Sequence, residues 1–569
     1  MFEPTSSLAA IPEPGGYFSV VKLLVLLAGL AGWLALCQWV DKDAWRLHYR
    51  RYTFNGLVVG AGLAGAIAWL LTPYFLIGLL IDAALVGTPA LVYVYLRNQL
   101  VSPNSQVLTA DFFARLVGRG STAADETPLP TVQLLNMAHK PVGNVPASDP
   151  LYEGVLAGQQ LLSEAIGRRA ERILLTPTAQ GVAVQMSIDG MVPAAAGIDR
   201  RTADLVIGYF KRSAGLDLND RRKPQSGKLL AEEPARVIDP LILSVGYNAP
   251  STIPARRLLL EVRTSGSRAG ETAQINLSDQ SSPLVLDNLG LSDRAIAQLG
   301  EFRHSANGVV LFGSGEKTGT TTTFYQAMQA HDVFMTNVQT LEERREADLE
   351  NITQHQFDAE SPEEASFARQ LQSILRRGPD IVGISKCKDK ETAQMIANAA
   401  GENVRFYVEM AGRDSVTVLA RWTALVGDAA LAMGPLRLVF AEALVRQLCT
   451  GCKEAYRPDP DMLRKINLPA DRIDKLYRPP TQIPTDKQGN RIPCPLCQGS
   501  GYRGRTGVFE MLVVDDELRR LVIANASANE IRKYCRTQKM LYLQEEALRK
   551  VIAGTTSVNE VVRVFGGGK

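Results

Sequence analysis

The chain carries almost no net charge. Its 62 Lys and Arg residues face 59 Asp and Glu, a formal balance of +3 over 569 residues. That removes the electrostatic footprint of a nucleic-acid-binding protein, and no nucleic-acid recognition is expected. Basic residues are also missing from the N-terminus, where none precedes Lys22. A secretory signal peptide needs a positive n-region, so the first apolar run reads as a membrane span instead. Cysteine is sparse, 7 residues in all, and no thioredoxin-like setting surrounds them. The length is enough for several domains.

What is present begins with apolar runs. Leu23–Val40, Phe54–Leu71 and Tyr74–Leu96 are each near the length that crosses a hydrocarbon core of ~30 Å. The third includes Asp82 and Pro89. Lys42, Arg46, Arg50 and Arg51 lie between the first two runs. Basic loops stay on the cytoplasmic side, so the tail is expected outside and the 41–52 loop inside. Three spans within residues 1–97 then return the chain to the cytoplasm at Arg97. The expected setting is a multi-pass protein of the cytoplasmic (inner) membrane, in contact with the lipid bilayer. Residues 98–150, rich in Pro, Ser, Thr and Asp, read as a linker.

Between 151 and 277 the pattern mixes helix-like and strand-like stretches. Arg172–Leu175, Val182–Ser187 and Leu258–Arg263 read as strands and Ala203–Ala214 as a helix, an α+β domain.

The apolar strand Val309–Phe312 then runs into a Gly- and Thr-rich turn and an amphipathic stretch, Thr321–Ala330. Strand, loop and helix N-terminus in this order cradle phosphate, because backbone N–H groups and the helix dipole point at the anion. The working pattern is G-x-x-x-x-G-K-[ST]. Gly319 stands where its second glycine belongs, but Thr320 takes the lysine position, Ser314 the first glycine, and Lys317 comes three residues early. A threonine cannot replace the point charge that such a lysine brings to phosphate. Gly313, Gly315, Lys317, Gly319, Thr320 and Thr321 are the candidate nucleotide-binding residues of this loop.

Cys449-x-x-Cys452 and Cys494-x-x-Cys497 place two pairs of thiols on tight turns. Four such sulfurs match the tetrahedral S₄ shell of structural Zn²⁺, which leaves no open position for substrate. A redox pair and disulfides are the alternatives, the latter disfavoured in a cytoplasmic domain. Cys37, Cys387 and Cys535 stand alone and read as packing residues.

Several blocks together resemble the assembly ATPases of type II secretion and type IV pilus machines, the secretion ATPase E-type. Ile188-Asp189-Gly190 is similar to their I-D-G turn, and Leu216–Lys228, LDLNDRRKPQSGK, to their L-D-[IV]-A-E-R-R-x-P-Q-D-G-R block. Thr340–Glu343 with Glu346 resembles their acidic box. Ser373–Asp380 followed by Ile381–Asp389 resembles the Walker B block, and Phe406–Asp414 the histidine box. The segments RQLCTGC and CPLCQGSGYRGRTGVFE resemble their tetracysteine region.

The resemblance implies an α/β fold. A P-loop NTPase (RecA-like) core at 278–445 follows the α+β domain at 151–277. A zinc subdomain at 446–510 and a helical region at 511–569 come after it, behind the N-terminal transmembrane helices. It implies ATP and Mg²⁺ as ligands and Glu342 as the residue that activates water. Arg221, Arg222 and Lys228 would deliver charge to phosphate, the last as lysine where the family has arginine. It also implies a homo- or hetero-hexamer and partners among the inner-membrane proteins of the machine.

Three catalytic positions depart from the family. Thr320 replaces the loop lysine, Ser385-Lys386 the Walker B Gly-Glu pair, and Ala411 the box histidine. A cation beside the metal–phosphate complex reverses the local field. The expectation is therefore a membrane-anchored pseudo-ATPase, a scaffold or regulatory subunit. The alternative is an active hexameric motor in which Lys317 swings into the missing lysine's place.

Overall fold

The computed structural model describes residues 20–46, 51–100, 107–108, 132–143, 145–146, 149–238, 240–281, 284–315, 318–357, 366–469, 471–485, 489 and 491–566. The chain divides into two compact units, one formed by 1–166, 172–186 and 194–279, the other by 167–171, 187–193 and 280–569.

The first unit opens with helices α1 (Val20–Arg46), α2 (Arg51–Leu71) and α3 (Phe75–Leu100). Two stretches, Val21–Ala44 and Phe75–Asn98, are long and apolar enough to cross a membrane, whereas the apolar part of α2, Thr53–Trp69, is shorter. That is two such helices where the apolar runs suggested three. Trp33 of α1 packs against Gly62 of α2, where a Cβ would come within 2.1 Å of the ring. Its indole N–H donates to the Val58 carbonyl at 3.1 Å. The C-terminal ends of α1 and α3 meet through Asp43, which takes Arg97 at 2.9 Å and the Tyr93 hydroxyl at 2.7 Å.

An eight-stranded sheet follows. Its order is Pro141–Val142, Gln133–Leu135, Gln225–Glu233, Arg256–Ser267, Gly270–Asp279, Ala170–Thr178, Gly181–Ile188 and Ala196–Ile198. The first two strands fall inside the stretch that reads as a linker. Asp189 and Gly190, at φ 48° and 77°, form the tight turn joining Ile188 to Met191. Positive φ at both central residues is what an Asp-Gly hairpin supplies. Glycines let the helix Tyr152–Gly167 sit against the helix Arg200–Ser213, since a Cβ on Gly158 would meet the Tyr209 ring at 2.5 Å.

The second unit is built on a seven-stranded sheet. Its strands are β1 (Gly308–Ser314), β2 (Val338–Glu342), β3 (Thr353–Gln356), β4 (Ile381–Ile384), β5 (Arg405–Ala411), β6 (Leu436–Leu448) and β7 (Tyr502–Val513). They lie in the order β3-β2-β4-β5-β1-β6-β7, all pairs parallel except β6 with β7. Parallel strands covered on both faces read as continuous apolar runs, and Val309–Phe312 of β1 are fully buried. Phe312 stacks between Tyr407 of β5 and Phe440 of β6, at 6.2 and 5.5 Å. Helix α4 (Thr320–Gln329) follows β1 and packs Phe324, Tyr325 and Met328 into the same apolar cluster. The C-terminal region forms helices over Ala528–Thr537, Leu543–Ile552 and Val558–Phe565.

Candidate functional site

Strand β1 enters the sheet between β5 and β6, so the loop after it emerges beside the C-terminal ends of its two neighbours. Gly319 caps α4 at φ 94°, a left-handed conformation that glycine adopts without strain. Glu316 and Lys317 lie outside the described residues, and with them the reading that places Lys317 at phosphate.

The described part of the loop is closed by its own hydrogen bonds. Thr318 Oγ1 accepts from the Gly315 N–H at 3.2 Å and lies 2.9 Å from Thr320 Oγ1. Thr320 is 3% exposed, and its hydroxyl donates back to the Gly313 carbonyl at 3.1 Å. The residue in the lysine position thus faces the loop backbone.

Helix α4 then turns three hydroxyl side chains toward three buried glutamates on separate strands, two of them in hydrogen bonds. Thr321 lies beside Glu409 of β5. Thr323 donates to Glu442 of β6 at 2.8 Å. Tyr325 donates to Glu342 of β2. Glu342, the expected water-activating residue, is 1% exposed and also accepts from Thr340 at 2.7 Å and Gln354 at 3.0 Å. Both of its oxygens accept from protein donors.

Glu409 and Glu442 escaped the reading of the sequence. Each is a lone acid in an apolar strand, F-Y-V-E-M and V-F-A-E-A, and that isolation was the available signal. They are 2% and 7% exposed. Burial pushes the Glu409 carboxyl up to about 7, against the pull of the neighbouring Thr321 and of Lys386. Burial likewise pushes Glu442 up to about 8, and the nearby Glu409 adds to it. A Cβ placed on Gly319 would lie 2.7 Å from Glu442 Oε1, so this carboxyl touches the loop.

The other changed positions sit on the same sheet. Lys386 follows β4 in the left-handed region at φ 54°, and its Nζ lies 4.0 Å from Glu343. Ser385 accepts the Glu343 N–H at 3.0 Å. Ala411 ends β5, and its carbonyl accepts from Arg421 at 3.3 Å. Arg221, Arg222 and Lys228 belong to the first unit, where Arg221 pairs with Asp204 at 3.0 Å.

The cysteine site is organised by strand pairing. β6 ends one residue before Cys449, and its Leu448 pairs with Tyr502 of β7. That register brings the two C-x-x-C turns together and leaves the intervening residues to loop out. Cys449 N–H donates to the Gly501 carbonyl at 3.0 Å, and Gly501 takes φ 72° to allow the turn. The four sulfurs of Cys449, Cys452, Cys494 and Cys497 lie within 4.8 Å of one another. Two of the separations are 3.8 and 3.6 Å. A tetrahedron with Zn–S bonds of ~2.3 Å has edges of about 3.8 Å, so the four thiols fit that ion.

Residues 246–563 match the protein family described as Type II/IV secretion system protein. The Type II secretion system protein E of Pseudomonas aeruginosa is 29% identical over 405 residues, which cover 71% of this chain and 74% of that protein. The type IV pilus assembly ATPase PilB of Thermus thermophilus is 27% identical over 407 residues, 71% of this chain and 42% of that protein. Among solved structures, the ATPase DotB of Legionella pneumophila is similar with a TM-score of 0.47 and 15% sequence identity, covering 75% of this chain and 98% of that one.

Proposed function

This chain belongs to the Type II/IV secretion system protein family, and from that premise we propose that it is a membrane-anchored, catalytically impaired member serving as a scaffold or regulatory subunit of a secretion or pilus-type machine. The observation behind this is the engagement of Glu442 and Glu342 by Thr323 and Tyr325 of α4. Hydrolysis needs a cation at the β/γ-phosphates and a carboxylate free to orient water. Here threonine stands in the lysine position, and the Glu342 oxygens are engaged by three protein donors. Lys386 adds positive charge where a metal-side acid is needed.

The helices α1–α3 would hold the protein in the inner membrane as three spans, with the basic 41–52 loop in the cytoplasm. The Asp43–Arg97 pair supports that arrangement, because it places the ends of α1 and α3 on one side. Cys449, Cys452, Cys494 and Cys497 would hold a structural Zn²⁺ that supplies cohesion and no chemistry. Assembly into a homo- or hetero-hexamer with inner-membrane components follows the family's mode of action.

The test is genetic. Glu342→Gln, which keeps the shape and the acceptor oxygen, is expected to leave assembly of the machine at the wild-type level. Removal of α1–α3 is expected to abolish it. Assembly lost in Glu342→Gln, with normal protein abundance, would identify a working motor instead.

A further inference from the structure

The buried glutamates of the second unit are not alike. Glu510 accepts from the Ser415 and Leu543 N–H groups at 3.0 and 3.2 Å, and Glu560 pairs with Arg446 at 2.7 Å and Arg563 at 2.6 Å. Glu409 differs. Its Oε1 is buried and has no hydrogen-bond partner, the one carboxylate oxygen so placed among the described residues. An orphaned buried polar atom calls for an explanation. Ionised, Glu409 would leave a naked charge in the protein interior. Neutral, it carries an O–H that needs an acceptor.

That acceptor is missing beside the N-terminus of a ten-residue helix. Thr321, which lies beside Glu409, is in the first turn of α4, where backbone N–H groups point outward and the helix dipole favours an anion. Glu442 touches the same turn at Gly319 and Thr323. Among the described residues, Lys386 is the cation that faces Glu409, together with Glu342 and Glu346. Glu442 is faced by Glu409 from β5. Glu510 lies opposite Ala441 in the β6–β7 pairing, the neighbour of Glu442, and is bound to Ser415 instead. A phosphate placed at this turn with both carboxylates ionised would meet two buried negative charges.

We propose that this site takes a polyphosphate anion only together with protons: Glu409 and Glu442 must be neutral for the anion to settle at Gly319–Thr321, and the Glu409 O–H donates to it where the family pattern has lysine. The proposal rests on the reading of this loop as a nucleotide-site descendant that no longer hydrolyses. The raised proton affinities of Glu409 and Glu442 put the transition in the physiological range. A bound oxyanion raises them further, and by linkage its own affinity falls as the pH rises.

The experiment is calorimetric titration of the full-length protein in detergent with Mg-ADP and, separately, with inorganic pyrophosphate, from pH 6 to 9. For wild type the affinity is expected to fall by about tenfold per pH unit for each proton taken up. In Glu409→Gln/Glu442→Gln, which keeps an acceptor for Thr323, that dependence should vanish beyond the ligand's own titration, which is common to both proteins. The pH 8.5 affinity should then approach the wild-type value at pH 6. Each single variant should show half of the effect, which covers a double variant that folds poorly. Binding of Mg-ADP without pyrophosphate would place the nucleoside in the recognition, and equal pH profiles for both ligands would place it in the phosphates; either supports proton coupling when the pH dependence is lost in the double variant. An identical pH profile in wild type and double variant, or no binding of either ligand at any pH, would overturn the inference and leave the loss of hydrolysis standing. Steady ATP turnover by wild type would overturn the underlying functional reading instead.

Discussion

Replacing Cys494 and Cys497 with serine is expected to release one zinc per chain and to unfold the region around residues 446–510. An apolar cluster of Leu463, Ile473 and Leu476 with the C-terminal helices holds part of this region, so the loss is concentrated at the two cysteine turns. The turns bearing the two cysteine pairs are joined by backbone bonds such as Cys449 to Gly501 and by the last register pair of β6 and β7. A four-thiolate zinc shell is worth roughly 10–16 kcal/mol of apparent binding free energy near neutral pH, and in small sites that energy is folding energy. The damage should spread along β6. Its Arg446 anchors the C-terminal helix Val558–Phe565 through the fully buried Glu560 at 2.7 Å. Metal content by atomic absorption and melting by calorimetry read the result. Full zinc occupancy and unchanged melting in the double variant would show that the cysteines hold no structural metal.

Stability should also fall as the pH is raised from 6.5 to 8.5, and Glu442→Gln should flatten that slope. In the unfolded chain both carboxyls are ionised throughout this window. In the folded chain burial holds Glu442 protonated up to about 8 and Glu409 to about 7. The folded state therefore binds more protons than the unfolded one, and stability declines as the pH rises through the folded values. Each tenfold difference in proton affinity is worth about 1.4 kcal/mol, so Glu442 alone can account for about 2 kcal/mol across the window. His331 does not interfere. Burial, with Arg405 and Arg303 nearby, lowers it to about 3, so its contribution is lost only as the pH falls below the ordinary histidine range. Urea midpoints at the two pH values measure the effect. Equal slopes in wild type and Glu442→Gln would mean that Glu442 is already ionised in the folded protein.

The parts of the fold legible in the sequence share a physical cause: each is set by local chemistry. The Asp189-Gly190 turn needs positive φ, Val309–Phe312 is apolar on both faces, and the cysteine spacing fits one ion. What escaped was set by tertiary packing. The strands Gln133–Leu135 and Pro141–Val142 are too short to show a period and exist because the edge at Gln225–Glu233 accepts them. The partners of Glu342 come from α4, β2 and β3, so its engagement follows from strand order rather than local sequence. The lone acids Glu409 and Glu442 were visible as anomalies in apolar strands. Their meeting with one helix depended on β5 and β6 lying near β1, an order that spacing along the chain does not encode.

The departures at Thr320, Lys386 and Ala411 were visible residue by residue. The structure adds a physical consequence for the first of them. Thr320 turns inward onto the Gly313 carbonyl and is buried, so it presents no group to a ligand at the loop.

Phosphate release from Mg-ATP by the purified full-length protein, measured beside Glu342→Gln, tests the central claim most directly. The expected result is no release from wild type above the variant, at pH 6.5 and at pH 8. Steady turnover that disappears in Glu342→Gln would contradict it, and would mean that Tyr325, Thr340 and Gln354 give up Glu342 when nucleotide binds.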